Sequence, residues 1–376
     1  MSEITVLQVL EATEGGTRRH LRDLVSALDA SAVRTALAVS FRRQGSEREE
    51  DLARFSALGA EVSEIPMRRE ISPLADMVSL VRLVRCVRRL RPDVIHAHSA
   101  KAGFLARLAG AWCGVPVAYT PHAFPFLMGG RKRRRSLYRL LERSVRGATA
   151  ALIAVSEEEQ AEALGLGYAP ERVHLIRNGV ACGPAEPVRV RESGPLVVGF
   201  FGRLTRQKGA DVLLEAAQEV LSHLPHVTFR LYGAGEMAAP LRRLAASRQV
   251  EPQVHFMGAC RGDETVERMR EVDVVAIPAR WEGCPYVVLE SFEAGVPVVA
   301  AAVGGVPELV RNGVNGLLVE PDSPEALEDG LLELLRDPLK RLRLAEQGRA
   351  SLAAHGLSDM AAAIGGVYQA VARPRR

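Results

Sequence analysis

Short apolar runs alternate with segments of helical period along this chain, and after one proline-containing interruption the alternation starts afresh. The first run, Ile4–Leu10, reads as a buried strand. Glu14-Gly15-Gly16 ends it, and Leu21, Leu24, Val25 and Leu28 then share one helical face. Further strands are predicted at 33–40, 93–97, 117–120, 150–155 and 173–176, with helices at 51–58, 77–90, 100–112 and 134–146 between them and a helix start at Ser156. Residues 183–194 (GPAEPVRVRESG) hold two prolines and little apolar content, as an interdomain linker does. Strands and helices resume at 196–201 and continue to a last helix at about 358–371. Such alternation implies parallel strands joined by right-handed crossovers. The fold class is therefore α/β, with two doubly wound domains, 1–182 and 195–356, a linker at 183–194 and a final segment at 357–376. Two such domains are expected to leave a cleft between the carboxyl edges of their sheets, where ligands bind.

A chain of 376 residues with 47% apolar content can fill two cores. The net charge of +4 is too small to define a nucleic-acid binder, and no reader motif accompanies it. The five cysteines, Cys86, Cys113, Cys182, Cys260 and Cys284, form no Cys-x-x-Cys pair and read as free thiols in a reducing compartment. The opening MSEITVLQVL has no basic start or long apolar run, so it does not read as a secretion signal. No stretch approaches the ~20 apolar residues that span a bilayer. The expected location is cytoplasmic, with contact at the inner membrane face left open.

Residues 279–308 (ARWEGCPYVVLESFEAGVPVVAAAVGGVPE) carry the richest chemistry. Gly283 and Pro285 separate Glu282 from Glu290, so Glu282 belongs to a loop and Glu290 lies about one turn into a helix, with Pro285 at its first position. The amides of that first turn, Tyr286 included, suit an anion such as a diphosphate. Carboxylates accept hydrogen bonds from vicinal hydroxyls, so two of them beside an anion site suit a sugar-ribose-diphosphate. Gly295-x-Pro297 and Gly304-Gly305-x-Pro-Glu308 extend the motif. A second cluster, Phe201-Gly-Arg203-Leu-Thr-Arg-Gln-Lys208-Gly209, follows a strand and supplies cations for a departing diphosphate. Gly233-Ala-Gly235 leaves room for a base or ribose, and Met257 ends a neighbouring strand at the same edge.

In the first half, Gly15-Gly16 opens a helix whose amides can reach a phosphate or acceptor. His20 lies on that helix. His96 and His98 share one face of a strand, and a structural or hydrogen-bonding role is preferred for them over metal binding. His122 follows strand 117–120 at the ligand edge. Arg131-Lys-Arg-Arg-Arg135, Arg139, Arg143 and Arg146, with Leu137, Leu140, Leu141 and Val145, make a basic helix. It reads either as a contact for an anionic lipid surface or phosphorylated acceptor, or as a solvated face.

Arg203, Lys208, the Glu282-x7-Glu290 pair, Gly15-Gly16 and Asn178-Gly179 together resemble the group 1 retaining glycosyltransferases (family 4, GT-B fold) over nearly the whole chain. His96-Ala-His98-Ser-Ala-Lys101-Ala-Gly103 and the basic helix near Tyr138 are similar to members that build bacterial polysaccharides or glycolipids. The resemblance implies two Rossmann-like domains facing across a cleft, with the segment 357–376 crossing back to the first. It implies retention of anomeric configuration, no metal and no cofactor. The co-substrate would be a nucleotide sugar, read as a UDP-linked hexose or N-acetylhexosamine, and the acceptor a hydroxyl of a sugar, lipid-linked sugar or small molecule. His122, Arg203, Lys208 and Glu282 would be the catalytic group. Arg203 and Lys208 would hold the donor diphosphate, Glu290 the ribose, and Glu282 the transferred sugar with His122 near its hydroxyls. Gly16 would approach the diphosphate from the first domain, and Gly233, Met257, Gly283, Cys284, Pro285 and Tyr286 would complete the donor pocket. Gly15, His20, His98, Lys101 and Ser156 fall on the acceptor side. Cys284 departs from the aromatic or aliphatic residue usual there, which leaves the shape of the sugar pocket open.

Three other functions fit parts of the pattern. A nicotinamide oxidoreductase should show Gly-x-Gly-x-x-Gly at its first turn, and residues 10–20 lack it. A non-catalytic nucleotide-sugar-binding subunit and a sugar-nucleotide epimerase of the same fold remain as alternatives.

Overall fold

A computed structural model describes residues 4–29, 33–42, 48–127, 132–181, 183, 187–188, 190–191, 194–262 and 264–372. Arg131, Cys182, half of the 183–194 segment and residues 373–376 lie outside them. The chain divides into two units, Met1–Gly179 with Leu357–Arg376, and Val180–Gly356.

The first unit runs β1 (Ile4–Leu10), α1 (Gly15–Asp29), β2 (Val33–Val39), α2 (Arg48–Ala57), β3 (Glu61–Glu64), α3 (Pro73–Leu90), β4 (Val94–His98), α4 (Ala100–Cys113), β5 (Val117–Thr120), α5 (Lys132–Val145), β6 (Ala151–Ala154), α6 (Glu157–Gly165) and β7 (Val173–Leu175). The second runs β8 (Val197–Phe201), α7 (Ala210–His223), β9 (Thr228–Tyr232), α8 (Ala238–Ser247), β10 (Val254–Gly258), α9 (Thr265–Arg270), β11 (Val274–Ile277), α10 (Tyr286–Ala294), β12 (Val298–Ala301), α11 (Val306–Leu309), β13 (Leu317–Val319), α12 (Pro324–Arg336) and α13 (Pro338–Ser351). The last helix, α14 (Leu357–Val371), belongs to the first unit, where it packs on α1 and β1.

Both sheets are wholly parallel. Their strand orders are β3-β2-β1-β4-β5-β6-β7 and β10-β9-β8-β11-β12-β13. The order reverses at β1/β4 and at β8/β11, and the loops leaving those strands diverge to open a crevice in each sheet. The central strands are buried on both faces, so they read as continuous apolar runs. In β1 the alternation sends Leu7 and Val9 to a core with Leu83, Leu105 and Ala109 of α3 and α4. Val6 goes to an opposite core with Leu24 and Leu28 of α1 and Met360, Ile364 and Tyr368 of α14.

Helix α2 begins at Arg48 rather than 51, and two further differences have a local cause. β3 was not expected, because three of its four residues are polar and it is only half covered at the sheet edge. Helix α3 begins at Pro73 rather than 77, since Ser72 takes the cap position and Pro73 the first helical position.

Candidate functional site

In the second unit the loops that carry the basic and the acidic clusters leave the two strands of the β8/β11 crevice. Gly202, Arg203 and Lys208 leave the end of β8, and Glu282 to Pro285 leave the end of β11. The loops are packed to backbone contact. A Cβ on Gly233 would lie 1.9 Å from the Gly202 carbonyl oxygen, and one on Gly209, itself at φ +71°, would lie 1.8 Å from that of Pro278. Only glycine fits at either place. The loops are also bonded to each other. The Leu204 amide donates to Ala234 O (2.8 Å) and the Gly233 amide to Gly258 O (2.7 Å). Phe201 and Tyr232 stack with ring centroids 4.6 Å apart.

Lys208 Nζ donates to Glu282 Oε1, so the basic and acidic clusters meet directly. Arg203 donates to Gln207 (3.2 Å), and Gln207 in turn donates to Trp281 O (3.0 Å), which fixes the two loops side by side. Arg280 adds a brace, with bidentate 2.8 Å bonds to Asp211 and a 2.7 Å bond to Asp322. Asp211 is held below the usual carboxylate range: burial would raise it, and the Arg280 bonds outweigh that. Gln207 and Arg280 were missed in sequence, because a glutamine and an arginine in a loop carry no periodic signal.

Glu290 lies on the fifth residue of α10 and is buried. Its charge reaches the Cys260 thiol, which burial above all pushes up. Gly283 O accepts from the Gly305 amide (2.9 Å), and the turn that presents this amide takes left-handed backbone at Gly304 (φ 52°), which favours glycine there. Pro285 is corrected by one position: it caps α10 in an extended conformation (φ −74°, ψ 119°), and Tyr286 begins the helix. Cys284 and Tyr286 are buried beneath the loop, whereas Met257 is half exposed at the end of β10.

In the first unit four histidines gather behind the β1/β4/β5 edge. His98 Nδ1 lies 3.2 Å from His122 Nε2, and His98 Nε2 lies 2.9 Å from Gln8 Oε1. Gln8 Nε2 donates to Tyr368 Oη (3.1 Å), which lies 2.6 Å from His96 Nδ1, and His96 Nε2 lies 2.8 Å from Thr120 Oγ1. The amide oxygen can only accept, so His98 carries its proton on Nε2. His98 Nδ1 is then an acceptor, and the proton between it and His122 sits on His122 Nε2. Burial holds His96, His98 and His122 well below the ordinary histidine range, with neighbouring imidazoles adding to it. His20 is lowered to about 4 by burial, against a partial rise from Asn178, whose Oδ1 lies 3.0 Å from its Nδ1.

His122 and Ala123 both take left-handed backbone (φ 52° and 79°). Glu159 secures that turn: its Oε1 accepts from the Ala123 amide and its Oε2 from the Val155 amide (3.0 Å). Sequence reasoning passed over Glu159, since only the folded chain brings it to His122.

Most of the residues expected on the acceptor side are engaged within the first unit. His20 and His98 are 1% and 0% exposed, so they back His122 instead of lining an open surface. Lys101 is held by both carboxylate oxygens of Asp76, at 2.7 and 2.6 Å. Ser156 is buried and caps α6 by accepting from the Glu159 amide (3.2 Å). Gly15 and Gly16 do stand exposed at the start of α1, with Gly15 at φ +63°.

Two switch-point crevices, one lined with paired cation and carboxylates and the other with His122 backed by buried imidazoles, fit the class of group-transfer enzymes acting on sugars. Residues 186–351 match the family described as glycosyl transferases group 1, and residues 15–179 match the glycosyl transferase 4-like domain. The chain is 31% identical over 300 residues to D-inositol 3-phosphate glycosyltransferase 1 of Catenulispora acidiphila, covering 74% of this chain and 72% of that one. It belongs to the group 1 glycosyl transferases and is a glycosyltransferase of GT-B fold. It is also 28% identical over 284 residues to the Escherichia coli UDP-Gal:alpha-D-GlcNAc-diphosphoundecaprenol alpha-1,3-galactosyltransferase, covering 72% of this chain and 73% of that one. In fold it resembles Anabaena HepE in complex with UDP and glucose, with a TM-score of 0.80 and 22% identity over 98% of this chain and 100% of that one.

Proposed function

We propose that the protein transfers a hexose or N-acetylhexosamine from a UDP-sugar to an acceptor hydroxyl with retention of configuration. The observation that carries this reading is the meeting of Lys208 with Glu282 beside the start of α10, one turn before the buried Glu290. In this reading Lys208 and Arg203 bind the diphosphate, the first turn of α10 assists, and Glu290 takes the ribose hydroxyls. Glu282 faces the transferred sugar, and in the first unit His122 is a contact for a sugar hydroxyl. The acceptor oxygen bonds to the anomeric carbon as the bond to the diphosphate oxygen breaks on the same face. The acceptor proton passes to the departing diphosphate, giving a glycoside and UDP. Glu282 is tied to Lys208, which supports a route without a carboxylate nucleophile. The UDP-containing name of the Escherichia coli relative and the UDP in the HepE complex support the donor class.

The reading requires no metal. Its test is a thermal-shift screen of nucleotide sugars, followed by NMR of the anomeric proton of the product formed in EDTA. An inverted product, or turnover that only a divalent ion restores, would defeat it.

We infer in addition that the first unit makes a peripheral contact with an anionic lipid surface. No helix among the described residues is long and apolar enough to cross a membrane. However, eight of the twelve exposed large apolar side chains among those residues lie along three neighbouring helices: Ile71, Leu74, Met77, Val78 and Val81 at α3, Trp112 on α4, and Leu137 and Leu140 on α5. Lys132, Arg133, Arg134 and Arg143 of α5 and Arg82, Arg85 and Arg88 of α3 are exposed among them. Apolar groups flanked by cations suit a headgroup boundary better than a solvated face. Co-sedimentation with anionic vesicles should be reduced in Arg133→Ala/Arg134→Ala/Arg135→Ala and in Leu74→Ser/Met77→Ser; unchanged binding would reject the contact.

A further inference from the structure

One ring nitrogen from each of His20, His98 and His122 lies within 4.8 Å of the other two. These three imidazoles come from α1, β4 and the turn after β5. Four properties make the cluster more than a crowding of rings. Two of the three imidazoles have their remote nitrogen bonded to a side-chain amide oxygen, His20 Nδ1 to Asn178 and His98 Nε2 to Gln8. An amide oxygen demands a proton from its partner, so each ring presents its other nitrogen as a lone pair. Metal-binding histidines are oriented in this way by second partners. The Gln8 amide is itself fixed by Tyr368 of α14. The His98–His122 separation of 3.2 Å already matches the ~3.3 Å between nitrogens around a tetrahedral ion with bonds of about 2.0–2.1 Å. All three rings are kept neutral by burial, so binding need not displace a charge. His122 is partly exposed and gives an ion a way in.

From this geometry we infer that His20, His98 and His122 form a binding site for a borderline-soft divalent cation, zinc above all, and that its occupation inhibits transfer. Three imidazole ligands with a fourth position open to water are a donor set for zinc, cobalt, nickel or copper, and a poor one for magnesium or calcium. The proton now on His122 Nε2 moves to His122 Nδ1, the metal takes the vacated lone pair, and no net proton is released. The ring already lies 3.2 Å from His98, so what occupation changes is His122 Nδ1, which turns from acceptor to donor and alters the contact it offers a sugar hydroxyl. The inhibitory part rests on the proposed role of His122; the site itself does not.

The test uses untagged full-length protein titrated with Co²⁺ and read by its visible ligand-field bands, with Zn²⁺ displacement. We expect tetrahedral bands that His20→Ala and His98→Ala abolish. Gln8→Ala should weaken the site by roughly 10–100-fold, and Gln8→Glu should tighten it by making His98 more basic. His223→Ala/His226→Ala, in the other unit, should change nothing. Because buried substitutions can compromise folding, the wild-type protein is also followed by imidazole ¹⁵N NMR during Zn²⁺ titration. There the rings of His20, His98 and His122 should shift together. Bands that are absent, or that survive loss of His20 or His98, would overturn the site, as would ¹⁵N shifts confined to other histidines. Micromolar-range Zn²⁺ should also suppress donor turnover reversibly with EDTA. Full turnover with the metal bound would overturn the inhibitory part and count against His122 as a sugar contact.

Discussion

At the scale of single residues the site depends on oppositely charged groups held in direct contact. Lys208 touches Glu282, and both are partly or wholly buried. In the proposed reaction the donor diphosphate competes with that carboxylate for the same ammonium. Lys208→Ala should therefore lower donor turnover by roughly 10²–10³, the usual loss for one stabilising group at a departing anion, while leaving the thermal unfolding profile close to wild type. Glu290→Ala should abolish turnover if, as proposed, it holds the ribose. Normal steady-state rates in either variant would remove these residues from the mechanism. The sequence made Lys208, Glu282 and Glu290 visible, because charged groups stood at fixed spacing beside glycines. It could not show that Lys101 and Ser156 are already engaged, by Asp76 and by the start of α6. Such partners lie elsewhere in the chain or depend on where a helix starts.

At the scale of elements, the first unit carries a buried ion pair that orders its helices. Arg107 of α4 makes two bonds to Glu142 of α5, at 2.5 and 3.0 Å, and a third to Tyr168 Oη at 2.7 Å, with no exposure of its own. Taking one partner away leaves a charge without water. Glu142→Leu should cost about 3–5 kcal/mol, while Arg107→Leu/Glu142→Leu should recover much of that loss. Urea denaturation of the two variants checks this, and equal losses in both would contradict it. Element positions were legible in sequence wherever burial was strong, as in β1, β4 and α4. They were not legible in β3, a polar edge strand, or at the start of α3, which is decided by Ser72-Pro73 rather than by apolar period.

For the molecule as a whole, the buried histidines set a pH limit. His20 falls from an ordinary 6.5 to about 4, and His96, His98 and His122 fall well below their usual range. The unfolded chain therefore takes up protons at these rings before the folded chain does. Stability is complete above about pH 6.5 and declines as pH falls toward 4, with His20 alone accounting for about 3 kcal/mol. Thermal unfolding across that interval should show a steep loss, and His20→Asn should flatten part of it. A profile independent of pH would contradict neutral burial of these rings.

The division of the chain has a consequence for its synthesis. The second unit is continuous in sequence, whereas the first is interrupted by it, and Gln8 meets a tyrosine 360 positions later. A ribosome adding about 5–20 residues per second leaves β1 and α1 without their α14 cover for on the order of tens of seconds. During that wait Val6, Leu24 and Leu28 have no Ile364 or Tyr368 to bury them. The later-made unit can complete its fold first, so protection by chaperones should fall chiefly on the half that is translated earliest.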